Sequence, residues 1–195
     1  MQATEKKMSK PRILIGTTGS IDIVKLPEYL NAIKEEIDCH LSVLMTPTAL
    51  TFFPAETMAI YADRVISGDQ PVDWPTDKPS KIVADHDILL VIPTTANTLS
   101  TVANGGATNR LTTVILAAEY PVIFFPVMGT SMWNKPAVKR NIKQIREDGY
   151  EVVEPTRHEH FDAALQRYVG YPSLPTKKDF LDLINKRLNN LRANT

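Results

Sequence analysis

The sequence predicts an α/β fold of the flavodoxin-like or Rossmann-like kind: a doubly wound, mostly parallel sheet in a single domain. Three observations predict it. The apolar runs Ile13-Leu14-Ile15, Ile88-Leu89-Leu90-Val91-Ile92 and Val122-Ile123-Phe124-Phe125 have strand length and no polar alternation, as in strands covered on both faces. Segments of helical period separate them, so strand and helix alternate from Arg12 onward. Each strand also runs into a short turn of Gly, Thr, Ser or Pro before its helix, as at Gly16-Thr17-Thr18-Gly19-Ser20. A chain of 195 residues forms one domain and buries about 70% of the surface its unfolded form exposes.

In chain order, residues 1–10 are polar without period and are expected as a flexible N-terminal tail, leaving 11–195 as the folded domain. Arg12 to Gly16 is the first strand. The helix after it carries Ile23, Leu26, Tyr29, Leu30, Ile33 and Ile37 on one face. Gly16 and Gly19 let backbone N–H groups face an anion, and the Ser20 hydroxyl adds a donor where the helix dipole is positive. The pattern is not Gly-x-Gly-x-x-Gly, and no acidic ribose ligand is evident, which disfavours nicotinamide cofactors. Leu41 to Met45 is the second strand, ending in Thr46-Pro47-Thr48-Ala49, a helix start with Pro in its first turn. Ser67 to Ser80, with Pro71, Pro75 and Pro79, reads as a loop at the mouth of the site; Trp74 within it either covers substrate or anchors the loop. Lys81 to Ala84 is a helical turn. Leu111 to Ala118 is a nearly apolar helix, buried within the subunit or against another copy. Asn134 is expected to cap, and Pro136 to start, a helix ended by Gly149, before a last strand at Tyr150 to Val153. Residues 156–161 read as irregular, Tyr171 to Pro175 as a linker, and 177–192 as an amphipathic C-terminal helix.

Composition excludes several classes. Lys and Arg number 22, as do Asp and Glu, so no charge excess argues for nucleic acid or an anionic membrane. The single cysteine, Cys39, allows no intrachain disulfide and reads as a small core residue. His158 and His160 lack a third ligand, so no metal is expected. There is no signal-like apolar segment and no membrane-length run, which points to the cytoplasm.

Two loops carry a resemblance. Pro93-Thr94-Thr95-Ala96-Asn97-Thr98 resembles the Pro-Ala-Ser-Ala-Asn-Thr signature, and Pro126-Val127-Met128-Gly129-Thr130-Ser131-Met132-Trp133 the Pro-x-Met-Asn-x-x-Met-Trp signature, of the homo-oligomeric flavin-containing cysteine decarboxylases. Asn104-Gly105 and Asn109-Arg110-Leu111-Thr112-Thr113 lie between them. The likeness runs from about Pro11 to Pro155 and is strongest to the peptidyl-cysteine decarboxylases of ribosomal peptide natural-product pathways, the epidermin, mersacidin, cypemycin and thioviridamide types. Two positions depart. Gly129 replaces the signature Asn, and Pro79 stands at the position of the family's active-site His.

The resemblance implies an FMN cofactor, with FAD as the alternative. It would be held by Gly16, Thr18, Gly19, Ser20 and Ile21, by Thr46 (a ligand in preference to a simple cap) and Thr48, by Phe52, by Thr94 to Thr98, and by Met128. Catalytic positions are Pro79, Gly129 and Met132, with Asp77 as a candidate replacement base. Asp22, Asn109, Pro155, Thr156 and Arg157 are candidates for substrate; Arg157 can pair bidentately with a carboxylate, and its segment matches a clamp over the peptide. The implied partner is a precursor peptide ending in Cys, and the implied assembly a homotrimer gathered into a dodecamer. The implied reaction is oxidative decarboxylation of that C-terminal cysteine to an enethiol through a thioaldehyde. Other readings of the same residues are a phosphopantothenoylcysteine decarboxylase, a related flavin prenyltransferase, and an inactive flavin-binding regulatory subunit.

Overall fold

The computed structural model describes residues 10–68, 70, 72, 74–163 and 165–193, so the tail expected over 1–10 lies outside the described residues apart from Lys10. The first half runs β1 (Arg12–Thr17), a 3-10 helix (Ile21–Lys25), α1 (Leu26–Glu36), β2 (His40–Met45), α2 (Pro47–Leu50), α3 (Ala55–Met58), β3 (Arg64–Ile66), α4 (Trp74–Asp77), α5 (Pro79–Ala84) and β4 (Ile88–Thr94). The second half runs α6 (Ala96–Ala103), α7 (Arg110–Ala117), β5 (Val122–Pro126), α8 (Thr130–Trp133), α9 (Pro136–Glu147), β6 (Glu151–Val152), β7 (Thr156–Asp162), β8 (Arg167–Ser173) and α10 (Lys177–Ala193).

Six strands form one sheet in the order β3-β2-β1-β4-β5-β6, every neighbouring pair parallel. Two βαβ halves diverge from the central pair β1 and β4, and without the three-residue edge strand β3 the order is the flavodoxin-like 2-1-3-4-5. Successive residues of each strand feed opposite cores. Ile13, Ile15, Leu90 and Phe125 pack with α1 and α10, where Phe180 stands edge-on to Tyr29 at 5.0 Å and to Phe125 at 5.1 Å. Leu14, Leu89, Val91 and Phe124 pack on the other face with Leu99, Leu111, Val114 and Ile142. Cys39 is buried in the first core, and burial pushes its thiol up to about 11, which removes it as a nucleophile at neutral pH.

Several local expectations need correction. Arg64–Ile66 is an edge strand the sequence does not announce, because three residues are too few to display a period. The loop expected over Ser67 to Ser80 contains α4 and α5 among its described residues, and Pro79 opens α5, where its missing N–H costs nothing. Asn134 closes α8 instead of capping α9, whose N-cap is Lys135. Residues 156–162 and 167–173 are not irregular chain and linker. They form an antiparallel hairpin, β7 on β8, paired from Thr156↔Ser173 to Asp162↔Arg167. Its residues are largely exposed on both faces, so no apolar stripe marked it; the ladder is set by cross-strand pairing.

Candidate functional site

All six strands point the same way, and the chain leaves β1 toward β2 but β4 toward β5, which opens a crevice beyond Thr17 and Thr94. Short hydrogen bonds lace the turns around it. The buried Thr18 hydroxyl donates to the Pro93 carbonyl at 2.7 Å and accepts from the Thr95 N–H at 3.1 Å, joining the turn after β1 to that after β4. The Val127 N–H donates to the Thr94 carbonyl at 3.0 Å, bringing in the turn after β5. The Thr46 hydroxyl donates to the Thr17 carbonyl at 3.2 Å and accepts from the Ala49 N–H at 3.2 Å, bringing in the turn after β2. Four turns thus make one surface.

Within it, the residues singled out from sequence divide by what their side chains touch. A Cβ on Gly16 would lie 2.5 Å from Leu111 Cδ1, so this glycine admits α7 against the sheet. A Cβ on Gly19 would run into Thr48 Cγ2 and sit 2.7 Å from Thr48 Cβ, so the turns after β1 and β2 approach as only Gly allows. Ser20 caps the 3-10 helix through the Asp22 N–H at 3.3 Å, and Ile21 beside it is 65% exposed. Thr46 is the capping residue of its turn, and the exposed Thr48 lies beside Gly19. Thr94 spends its hydroxyl on the Val91 carbonyl at 2.5 Å. Thr95 caps α6 through the Thr98 N–H, leaving Ala96 half-buried and Asn97 exposed on the first turn. Met128 is buried; Gly129 and Met132 are exposed, and nothing lies within 4 Å of a Cβ placed on Gly129. Phe52 is exposed after α2.

Asn109 forms a capping box with Thr112, its Oδ1 accepting from the Thr112 N–H at 3.0 Å. Asp77 pairs with Arg64 at 2.6 Å, and Arg64 also reaches Asp85 at 3.3 Å. Arg64 opens β3 and Asp85 precedes β4, so these pairs draw Asp77 toward the N-terminal ends of the strands, opposite the crevice. Pro79 is half-buried at the head of α5. The side chain of Trp74 lies outside the described residues.

The hairpin crosses this edge of the sheet. Its base is tied by the Thr156 hydroxyl, which donates to the Leu174 carbonyl at 2.8 Å, just after the half-buried Pro155. Farther out, Lys25 Nζ donates to the Tyr171 hydroxyl at 2.8 Å, and the Thr130 hydroxyl donates to the Gly170 carbonyl at 2.7 Å. One tie reaches the helix after β1 and the other the helix after β5, so the hairpin spans the crevice. Arg157 is exposed near the base of β7. Asp22 is buried and paired with Lys25 at 2.5 Å. Burial works against the Lys25 ammonium, yet its hydrogen bonds to Asp22 and Tyr171, with the Asp22 charge, outweigh it and hold Lys25 above its ordinary range. Sequence reasoning passed over Lys25, Tyr171 and Thr130. The one signal available was the Asp22-to-Lys25 spacing of three on a helical turn.

The donor set suits a neutral planar ligand with a phosphate. Hydroxyls of Ser20 and Thr48 flank the tight approach at Gly19, small residues floor the crevice, and the buried Thr17 hydroxyl at the end of β1 has no hydrogen-bond partner among the described residues. Among those residues no cluster of His, Cys, Asp or Glu could hold a metal, and no helix is long and apolar enough to cross a membrane.

Comparison with known proteins gives concordant likenesses. The family model described as Flavoprotein matches residues 1–189. Mersacidin decarboxylase of a Bacillus species is 39% identical over 153 residues, 78% of each chain. A substituted form of EpiD complexed with the substrate peptide DSYTC superposes with a TM-score of 0.80 at 26% identity, covering 89% of this chain and 98% of that one. SpaF, described as an FMN-dependent cysteine decarboxylase, superposes with a TM-score of 0.77 at 31% identity, covering 93% and 97%.

Proposed function

We propose, from the premise that this chain belongs to the Flavoprotein family, that it is a flavin-dependent decarboxylase whose substrate is the C-terminal cysteine of a precursor peptide and whose product is an enethiol. The observation that carries the peptide reading is the hairpin laid across the crevice by the Tyr171 and Gly170 ties, the position in which an extended chain would pass beneath it. FMN is the cofactor, as in the description of SpaF.

FMN supplies the two-electron sink, and the protein supplies position. Ser20, Thr48 and the Gly19 turn would hold the phosphate with neutral donors, and Thr95, Ala96 and Asn97 would border the ring, with Met128 behind. Thr18 fixes the spacing between these two sets of contacts. Arg157 would meet a peptide carboxylate, and Asp22 lies at the same rim. A cysteine thiol of pKa about 8.5 is mostly protonated at neutral pH, so its proton must leave. Pro79 offers no base, and Asp77 is engaged by Arg64. Deprotonation by solvent is therefore the economical route, and Pro79→His should change the rate only modestly. Gly129→Asn has room and should fold normally. The flavin is expected to be shared across subunits of a trimer, itself gathered into a dodecamer.

The test is mass spectrometry of peptides ending in Cys after incubation with the flavin-loaded protein, with a C-terminal Ser peptide and phosphopantothenoylcysteine alongside. Loss of carbon dioxide and two hydrogens from the Cys peptide alone supports the reading. Turnover of phosphopantothenoylcysteine with inert peptides would replace it by the coenzyme-pathway reaction, and flavin-loaded, assembled protein inert toward all of them would replace it by the regulatory one.

A further inference from the structure

Lys25 occupies a junction that the proposed reaction does not explain. It ends the 3-10 helix that Ser20 caps, five residues from that hydroxyl. A carboxylate as buried as Asp22 needs a counter-ion, and Lys25 provides it at 2.5 Å. The same ammonium donates to the Tyr171 hydroxyl at 2.8 Å, beyond the phenol oxygen at the rim of that ring. Tyr171 stands opposite His158 in β8, and its neighbour Gly170 is held from the other side by Thr130. Two ties on adjacent residues therefore set the height of the hairpin over the crevice. The Thr130 tie is a single neutral hydrogen bond, whereas the Lys25 tie is charged and anchored by a buried partner.

We propose that Lys25 is a positioning residue: through Tyr171 it holds the β7–β8 hairpin at the height at which an extended peptide fits beneath it. This rests on the peptide-decarboxylase reading. Its consequence is that Lys25 governs peptide affinity through the hairpin and leaves the rate at saturation alone, since it reaches neither the reacting cysteine nor the ring.

The experiment compares flavin-loaded parent, Tyr171→Phe, Lys25→Met and Lys25→Arg. Amide hydrogen exchange over residues 157–170 without substrate is read first. Removing the charged hydrogen bond should speed exchange about tenfold in Tyr171→Phe and Lys25→Met, with the flavin spectrum unchanged. Lys25→Arg should keep most of the protection. With a Cys-terminated peptide, KM should rise about tenfold while kcat stays within about twofold, and the double variant should be no worse than Lys25→Met alone. Should Lys25→Met misfold around the uncompensated Asp22 carboxylate, Tyr171→Phe, which keeps the Asp22 pair, still decides. Unchanged exchange in Tyr171→Phe, or a fall in kcat at constant KM, overturns the proposal. Because exchange needs no turnover, an inert parent would sink the peptide reading while the hairpin tie is still measured.

Discussion

Thr18→Val tests how the site is assembled. The substitution preserves shape and removes one hydroxyl, which is 2% exposed and serves both neighbouring turns. It strands the Pro93 carbonyl, buried, and the Thr95 N–H, on a half-buried residue that water partly reaches. An unsatisfied buried backbone group costs about 1–3 kcal/mol, so the pair should cost about 2–4 kcal/mol, with Thr95 at the low end. For a domain of this size that lowers Tm by about 5–15 °C at fixed protein concentration. Flavin affinity should fall as well, by about tenfold, because the turns proposed to hold opposite ends of the cofactor lose their common brace. Calorimetry of the apoprotein and quenching of free FMN fluorescence read the two effects separately. Thr18→Ser keeps the hydroxyl and should lose only about 1 kcal/mol for its methyl. A Thr18→Val protein that melts within about 1 °C of the parent and binds FMN equally well would refute the bracing argument.

Gly19→Ala should weaken FMN binding at least tenfold, as titration calorimetry can check, and cost about 1–3 kcal/mol because the new methyl meets Thr48; Thr48→Gly in the same chain should restore part of the stability, as urea unfolding can check. Asp77→Asn should lower stability by about 1 kcal/mol through its Arg64 pair, only partly screened from solvent, and leave turnover per bound flavin unchanged; a large loss of kcat at full flavin loading would instead make Asp77 the missing base. Burial holds the His86 imidazole below its ordinary 6.5, only partly offset by its bond to the Ile82 carbonyl at 2.6 Å. The unfolded chain therefore takes up that proton first, so stability is complete above pH 6.5 and declines as pH falls below it. Asp63 and Asp87, held below 3.8 despite burial by hydrogen bonds from Lys34 and Arg12, add to the loss only in stronger acid. Urea unfolding of His86→Gln at pH 7 and pH 5.5 should show that slope flattened, and an unaltered slope would assign it elsewhere.

What the chain determined by itself was everything with a local cause. Unbroken apolar runs announced β1, β4 and β5, because a strand covered on both faces has no polar side to show, and Leu41 to Met45 announced β2 with only Ser42 interrupting it. Pro136 and Gly149 bracketed α9, since a missing N–H and a φ of +91° are properties of single residues. The signature loops were legible for the same reason, their residue types being fixed by the close approach of the turns. Tertiary structure decided what depends on partners distant in sequence. Thr46 spends its hydroxyl inside the fold because the Thr17 carbonyl, twenty-nine residues earlier, accepts it, while Thr48 lies against the Gly19 turn. Asp77 gained Arg64 across an edge strand too short to foresee. The hairpin carried no apolar stripe; its ladder and its ties to Lys25 and Thr130 place it, and these ties join residues 146 and 40 positions apart. A period is written in neighbouring residues, whereas a hydrogen bond across a crevice exists only once the sheet has brought its two ends together.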